Sequence, residues 1–171
     1  MGSNMSAIHT IIDLMEQLNE AHLHLIELGE EKKQAVIKND VSKVIALVNR
    51  ESKQVKIIEE LEQSRTNQTF LFLQEHGIKS KLNLTVSELS RLVFDPEVKL
   101  QLKETQAKLH TTLLKLKRLN ELNKQLIKQA LDYIDYSIDL LSYRDDNSHI
   151  YQHPAEKNAG ASKPGFFDAR G

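Results

Sequence analysis

Apolar residues recur at helical spacing along most of the chain, and the longest run, residues 96–142, organises the rest. Two heptad rows define its seam: Leu102, Leu109 and Leu116 in one, Leu113, Ile127, Ile134 and Leu141 in the other. Leu131 and Ile138 extend one flank, and Leu119, Leu126, Tyr133 and Leu140 the other, so the stripe broadens toward its end. At 100° per residue the apolar residues of 126–141 span an arc of roughly 180°. A two-stranded seam needs far less. A face this wide is expected either to lie between two neighbouring helices of its own fold or to bind another molecule.

The same periodicity predicts two more long helices. Ser6 can cap the first, whose seam runs Ile8, Ile11, Ile12, Met15, Leu18, Leu25 and Val36, with Leu14, Ala21 and Leu28 alongside. Gly29 falls within it and costs about 1 kcal/mol relative to Ala, which weakens the expectation of an unbroken helix. Asn39-Asp40 is the first punctuation, with Asp40 as N-cap of a second helix carrying Val41, Val44, Ile45, Val48, Val55, Ile58, Leu61 and Leu71 or Phe72. Glu51 and Arg65 interrupt that seam and read as partly solvated charges. His76-Gly77 closes the helix, and residues 78–85 form a connection in which Leu82 and Leu84 are candidate anchors.

Thr85 followed by Glu88 is a capping box, opening a short helix through Leu89, Leu92, Val93 and Phe94. Asp95-Pro96 then restarts the chain, Asp as N-cap and Pro at the first helical position. Connections this short favour antiparallel neighbours. The expected fold is all-α: an elongated antiparallel bundle of three long helices plus one short helix, with coiled-coil-like seams, over residues 5–143. Residues 144–171 carry Gly, Pro and no apolar period and read as a mobile tail in which Phe166 and Phe167 stand out; residues 1–4, ahead of Met5, read as an expression remnant.

Composition narrows the chemistry. Aromatics make up 5% and Trp is absent, which favours long helices zipped along Leu and Ile seams. A net charge of −1 argues against a nucleic-acid footprint. The chain has no cysteine, so disulfides, thiolate nucleophiles and Cys-type zinc sites are excluded. No apolar run approaches the ~20 residues of a membrane span, and the N-terminus lacks a secretory h-region, so a soluble, unexported protein is expected. There is no glycine-rich phosphate loop and no strand-helix alternation, so no enzyme and no cofactor is expected. His22 and His24 project about 200° apart on a helix and cannot share an ion. His149 and His153 have a helical metal-pair spacing but sit where Gly and Pro accumulate, without a carboxylate arrangement to complete a site.

Several polar residues break the pattern. Asn120 and Asn123 fall at seam positions of the last helix, either as buried amides that fix register or as polar marks at the edge of a partner groove. Asp132, Asp135 and Asp139 form an acidic strip opposite the apolar arc, read as a wet face, with a lysine-binding docking surface as the alternative. Tyr136 and Tyr143 lie seven residues apart on the polar side, either as ordinary surface residues or as contact residues.

Residues 120–126, Asn-Glu-Leu-Asn-Lys-Gln-Leu, and the closing Phe167-Asp-Ala-Arg-Gly171 resemble the FlgN family of bacterial flagellar export chaperones. That family shows an Asn-x-x-Asn-x-x-Leu-Leu-like opening of the final amphipathic segment and often ends in an aromatic followed four residues later by Gly. The helix order agrees over nearly the whole chain. The resemblance implies a cytoplasmic, non-enzymatic chaperone for the hook-associated proteins of the hook-filament junction, escorting them to the type III export gate. It also implies that clients are held by the final amphipathic segment, here Asn123, Leu126, Ile127, Ala130, Leu131, Ile134, Ile138 and Leu141. The family's gate-docking tyrosine matches Phe167, beside Phe166; the missing hydroxyl removes any hydrogen bond there and leaves an aromatic anchor. Such a protein is expected to be a monomer or weak homodimer. The competing expectation is a structural or signalling bundle that self-associates through the same arc.

Overall fold

A computed structural model describes residues 6–79 and 83–150. Among them are four α-helices and no strand: α1 (Ala7–Ile37), α2 (Val41–Glu75), α3 (Val86–Leu92) and α4 (Pro96–Ile150). The chain divides into two compact units, Met1–Lys128 and Gln129–Gly171.

In the first unit the helix ends follow their capping residues. α1 stops where Asn39 takes a left-handed φ of 56°. The amides of Asn39 and Asp40 then bond back to the carbonyls of Val36 and Ala35, closing a Schellman motif. Asp40 immediately caps α2 by accepting from the Lys43 amide at 3.1 Å. α2 ends the same way, with Gly77 at φ 72° and the Ile78 amide on the Leu73 carbonyl. The α3 capping box is formed as expected, Glu88 N–H donating to Thr85 Oγ1 and Thr85 N–H to the Glu88 carboxylate. α3 nevertheless stops at Leu92, short of Phe94. Val93 is already extended, and Asp95 precedes a proline that disfavours helix at its own position.

α1 is the central helix of this unit. Its buried residues form three adjoining rows, with Asn19 beside the last: Ala7, Leu14, Ala21, Leu28 and Ala35; Ile11 and Leu18; Ile8, Met15, His22 and Gly29. A stripe that wide fits a helix covered on two sides. α2 runs antiparallel along one side, tied by Gln54 to the Ala21 carbonyl at 3.1 Å and by a Lys32–Glu51 ion pair at 2.8 Å. α4, up to Lys128, runs parallel to α1 on the other, as an up-down-up order requires. One core cluster gathers Ile8, Ile11 and Met15 with Phe72, Leu89, Val98 and Leu102, joining both ends of the chain's helical order; a second joins Leu28, Ala35 and Leu47. Gly29 does not break α1. A Cβ there would meet Leu119 Cδ2 at 2.7 Å, so the glycine lets α1 and α4 approach.

Three seam expectations need correction. In α4 the buried rows are Val98, Leu102, Thr105, Thr112, Leu119 and Asn123, with Leu109 and Leu116 half-buried between them; Leu113 is exposed. Thr105 and Thr112 take the places that an apolar search gives to Leu113, because they have partners on α1. In α2 the inward row is Leu47, Glu51, Gln54, Ile58, Leu61, Arg65 and Phe72, while Val41, Ile45 and Val48 point outward and Val55 is exposed at the edge of a cleft. Lastly, α4 continues to Ile150, past residue 142, since no Gly or Pro interrupts it before Pro154. Leu84 packs on the first cluster as expected. Leu82, the other proposed anchor, and Phe166 and Phe167 lie outside the described residues.

Candidate docking surface

Inside the first unit α4 is held to α1 by a ladder of polar contacts. Thr105 Oγ1 donates to Glu16 at 3.0 Å, Thr112 Oγ1 to Asn19 Oδ1 at 2.6 Å, and Asn123 Nδ2 to the Gly29 carbonyl at 2.8 Å. Asn123 was expected on the client-facing side. It is 2% exposed and bonded within the bundle, so its amide serves register between α1 and α4. Its Oδ1 is buried without a donor among the described residues. Asn120, the other seam asparagine, is exposed. Between α1, α2 and this part of α4 lies a cleft of about 410 Å³, walled by Leu25, Val55, Leu116 and Ile127 and rimmed by the Lys32–Glu51 pair. Leu126 and Ile127 are half-buried. Arg65, the second seam charge of α2, pairs with Glu62 at 2.8 Å.

In the second unit the described part is α4 from Gln129 onward. None of residues 129–145 is buried. Leu131 (56% exposed), Ile134 (42%), Ile138 (54%) and Leu141 (62%) share one helix face through their 3-4-3 spacing, with Ala130 half-buried beside them. Tyr133 and Leu140 continue the apolar surface around the helix, and Tyr136 and Tyr143 follow, all exposed. Asp132, Asp135 and Asp139 fill the remaining strip, which lies beside the aliphatic face and not opposite it as expected, because Asp135 is four residues from Leu131 and three from Ile138. Four large aliphatic side chains held open to water on one helix face are not a core, and none of the described residues of their unit covers them. Sequence reading missed one further apolar surface, the outward Val41, Ile45 and Val48 of α2. The signal was there, because that row is offset from the row containing Leu47, Ile58 and Leu61.

The described histidines do not assemble a site, and the side chains of His149 and His153 lie outside the described residues. His22 Nδ1 donates to the Leu18 carbonyl at 2.6 Å, and His24 faces Glu27 at 3.4 Å. Among the described residues no cluster of three or more His, Cys, Asp or Glu side chains could hold a metal, and no helix is long and apolar enough to cross a membrane. Among the described residues the one clear pKa displacement is that of Glu88, held below its ordinary value by the Thr85 amide first, then by the Thr85 hydroxyl and the Arg91 charge. It belongs to the α3 cap.

The family model for FlgN protein matches residues 1–159. The uncharacterized protein YvyG of Bacillus subtilis (strain 168) is 29% identical over 160 residues, which cover 94% of this chain and 96% of that one. No solved structure matches. The family match takes in all four helices, including the open face of α4, and the chain belongs to the FlgN family of flagellar export chaperones.

Proposed function

We propose that this chaperone acts in the cytoplasm, holds the amphipathic termini of hook-associated proteins on the α4 face formed by Leu131, Ile134, Ile138 and Leu141, and delivers them to the type III export gate. The observation that carries this reading is the exposure of all four side chains within their own unit. Export clients travel unfolded, and their amphipathic termini self-associate if left bare. A broad aliphatic face covers them by burying apolar area on both partners. Ordering the client segment costs part of that gain, so the complex is of moderate affinity and releasable. Leu126 and Ile127 of the first unit and Ala130 of the second, each half-buried, add apolar contacts in this reading, and Asn123 contributes by fixing α4 rather than by touching the client.

The test is titration of terminal segments of hook-associated proteins from the same bacterium into the full chain and into Leu131→Asp and Ile138→Asp variants. Both positions are already wet, so the circular dichroism and melting of the free variants should stay within error of the parent. Client affinity should fall at least tenfold, because a carboxylate is then buried against an apolar segment. Loss of fold in the variants would make these residues core. Undiminished capture by folded variants would move the client site elsewhere, and a stable dimer that loses its partner on substitution would assign the face to self-association.

A further inference from the structure

The charge on α4 is segregated along its length in a way the net charge of −1 conceals. From Pro96 to Lys128 the helix carries Lys99, Lys103, Lys108, Lys115, Lys117, Arg118, Lys124 and Lys128 against Glu97, Glu104 and Glu121; from residue 129 to 145 it carries Asp132, Asp135, Asp139 and Asp145 against Arg144. The acidic stretch is the one with the open apolar face.

Asp132, Asp135 and Asp139 are spaced three and four apart, so each has a like-charged neighbour on the same helix face, an arrangement that costs helix stability. All three are exposed, and no ion pair or hydrogen bond engages them among the described residues. The strip borders both kinds of apolar surface. Asp135 is a helical neighbour of Leu131 and Ile138, while Asp132 and Asp139 are neighbours of Tyr136, and Asp139 also of Tyr143. A partner helix laid along Leu131 and Ile138 therefore carries its flanking side chains over carboxylates backed by exposed phenol rings. A cation there relieves the mutual repulsion of the aspartates and can stack on a tyrosine. Guanidinium suits the place better than ammonium, since it is planar, pairs with a carboxylate in bidentate fashion and is more weakly hydrated.

Resting on the reading of this face as the client site, we infer that it selects segments whose apolar stripe is flanked by basic residues, arginine above all. The acidic strip is then part of the recognition surface and discriminates against acidic amphipathic helices that the aliphatic face alone would accept.

The probes are two synthetic amphipathic peptides of about 20 residues with one common leucine stripe, one flanked by arginine and the other by glutamate, titrated into the full chain. The arginine peptide should bind at least about tenfold more tightly at low salt, as expected for several exposed charge pairs acting together. The gap should close several-fold near about 0.5 M salt, where screening is short-ranged. It should also close in the triple variant Asp132→Asn, Asp135→Asn, Asp139→Asn, with helicity by circular dichroism kept or raised. Equal binding of both peptides overturns the charge selection and leaves the apolar client face standing. Binding of neither peptide, with the protein folded, overturns the client face and this inference with it. A preference that persists in the triple variant places the selectivity on other residues and overturns the role of the strip.

Discussion

At the scale of single residues, the same helix uses leucine for two opposite purposes, and burial separates them. Leu102 is fully buried in the cluster that joins α1, α2, α3 and α4, so its truncation to alanine falls in the costly class of cavity-forming changes, about 2–5 kcal/mol. Leu131 is mostly in water and contributes little to the free fold. Thr112 is the more instructive case. It is 5% exposed and donates to Asn19 Oδ1, itself on a side chain only 3% exposed. Thr112→Val keeps the shape and makes the seam greasier, yet should destabilise the protein by about 1–3 kcal/mol, because the Asn19 amide is left buried and short of a partner. Denaturant unfolding of Thr112→Val, Asn19→Leu and the double variant checks this. The double variant should recover a large part of the loss; a stabilised Thr112→Val single variant would mean the pair carries no weight.

At the scale of elements, local chemistry decides where helices begin and end, and one of those ends is pH-sensitive. Glu88 accepts from both the amide and the hydroxyl of Thr85, which with Arg91 holds its pKa below the ordinary 4.5. A depressed carboxylate pKa means that the cap stabilises fully above the unfolded value and that this contribution is lost as pH falls through the folded one. Glu88→Gln should therefore weaken the protein at neutral pH, with a penalty that shrinks steadily below about pH 4 in thermal melts, where the wild-type carboxylate protonates too. A penalty independent of pH would show that the charge is irrelevant to the box. Boundaries of this kind were legible because their residues act locally: Asn39-Asp40, His76-Gly77, Thr85 with Glu88 and Asp95-Pro96 all mark true ends. Seam membership was legible only in part. Leu102, Leu109 and Leu116 follow the apolar rule, but Thr105 and Thr112 are inside because Glu16 and Asn19 meet them, and those residues lie about ninety positions earlier in the chain. Local pattern cannot register such a partner. The same limit applies to Val41, Ile45 and Val48, which belong to the apolar seam in sequence and lie outside the core in the fold. A row of β-branched residues states that a helix face is apolar, not that another helix covers it.

At the scale of the whole molecule, an export chaperone has to hold cargo and reach the gate with different surfaces, or delivery and release compete for one site. The open face of α4 and the aromatic pair Phe166-Phe167 are separated by a sequence long enough for both to be engaged at once. We propose that the pair docks at the gate, with Phe167 as an aromatic anchor that needs no hydroxyl. A chain truncated before residue 166 should bind client segments with the affinity of the full chain, because Leu131, Ile134, Ile138 and Leu141 are untouched. In cells it should lower the amount of hook-associated protein secreted while leaving the cytoplasmic chaperone-client complex intact or more abundant, since cargo is then captured but not handed over. Replacing Phe167 with tyrosine should preserve secretion and replacing it with alanine should not. Normal secretion by the truncated chain would remove the tail from the gate contact, and loss of client binding on truncation would mean that the tail belongs to the holding surface instead.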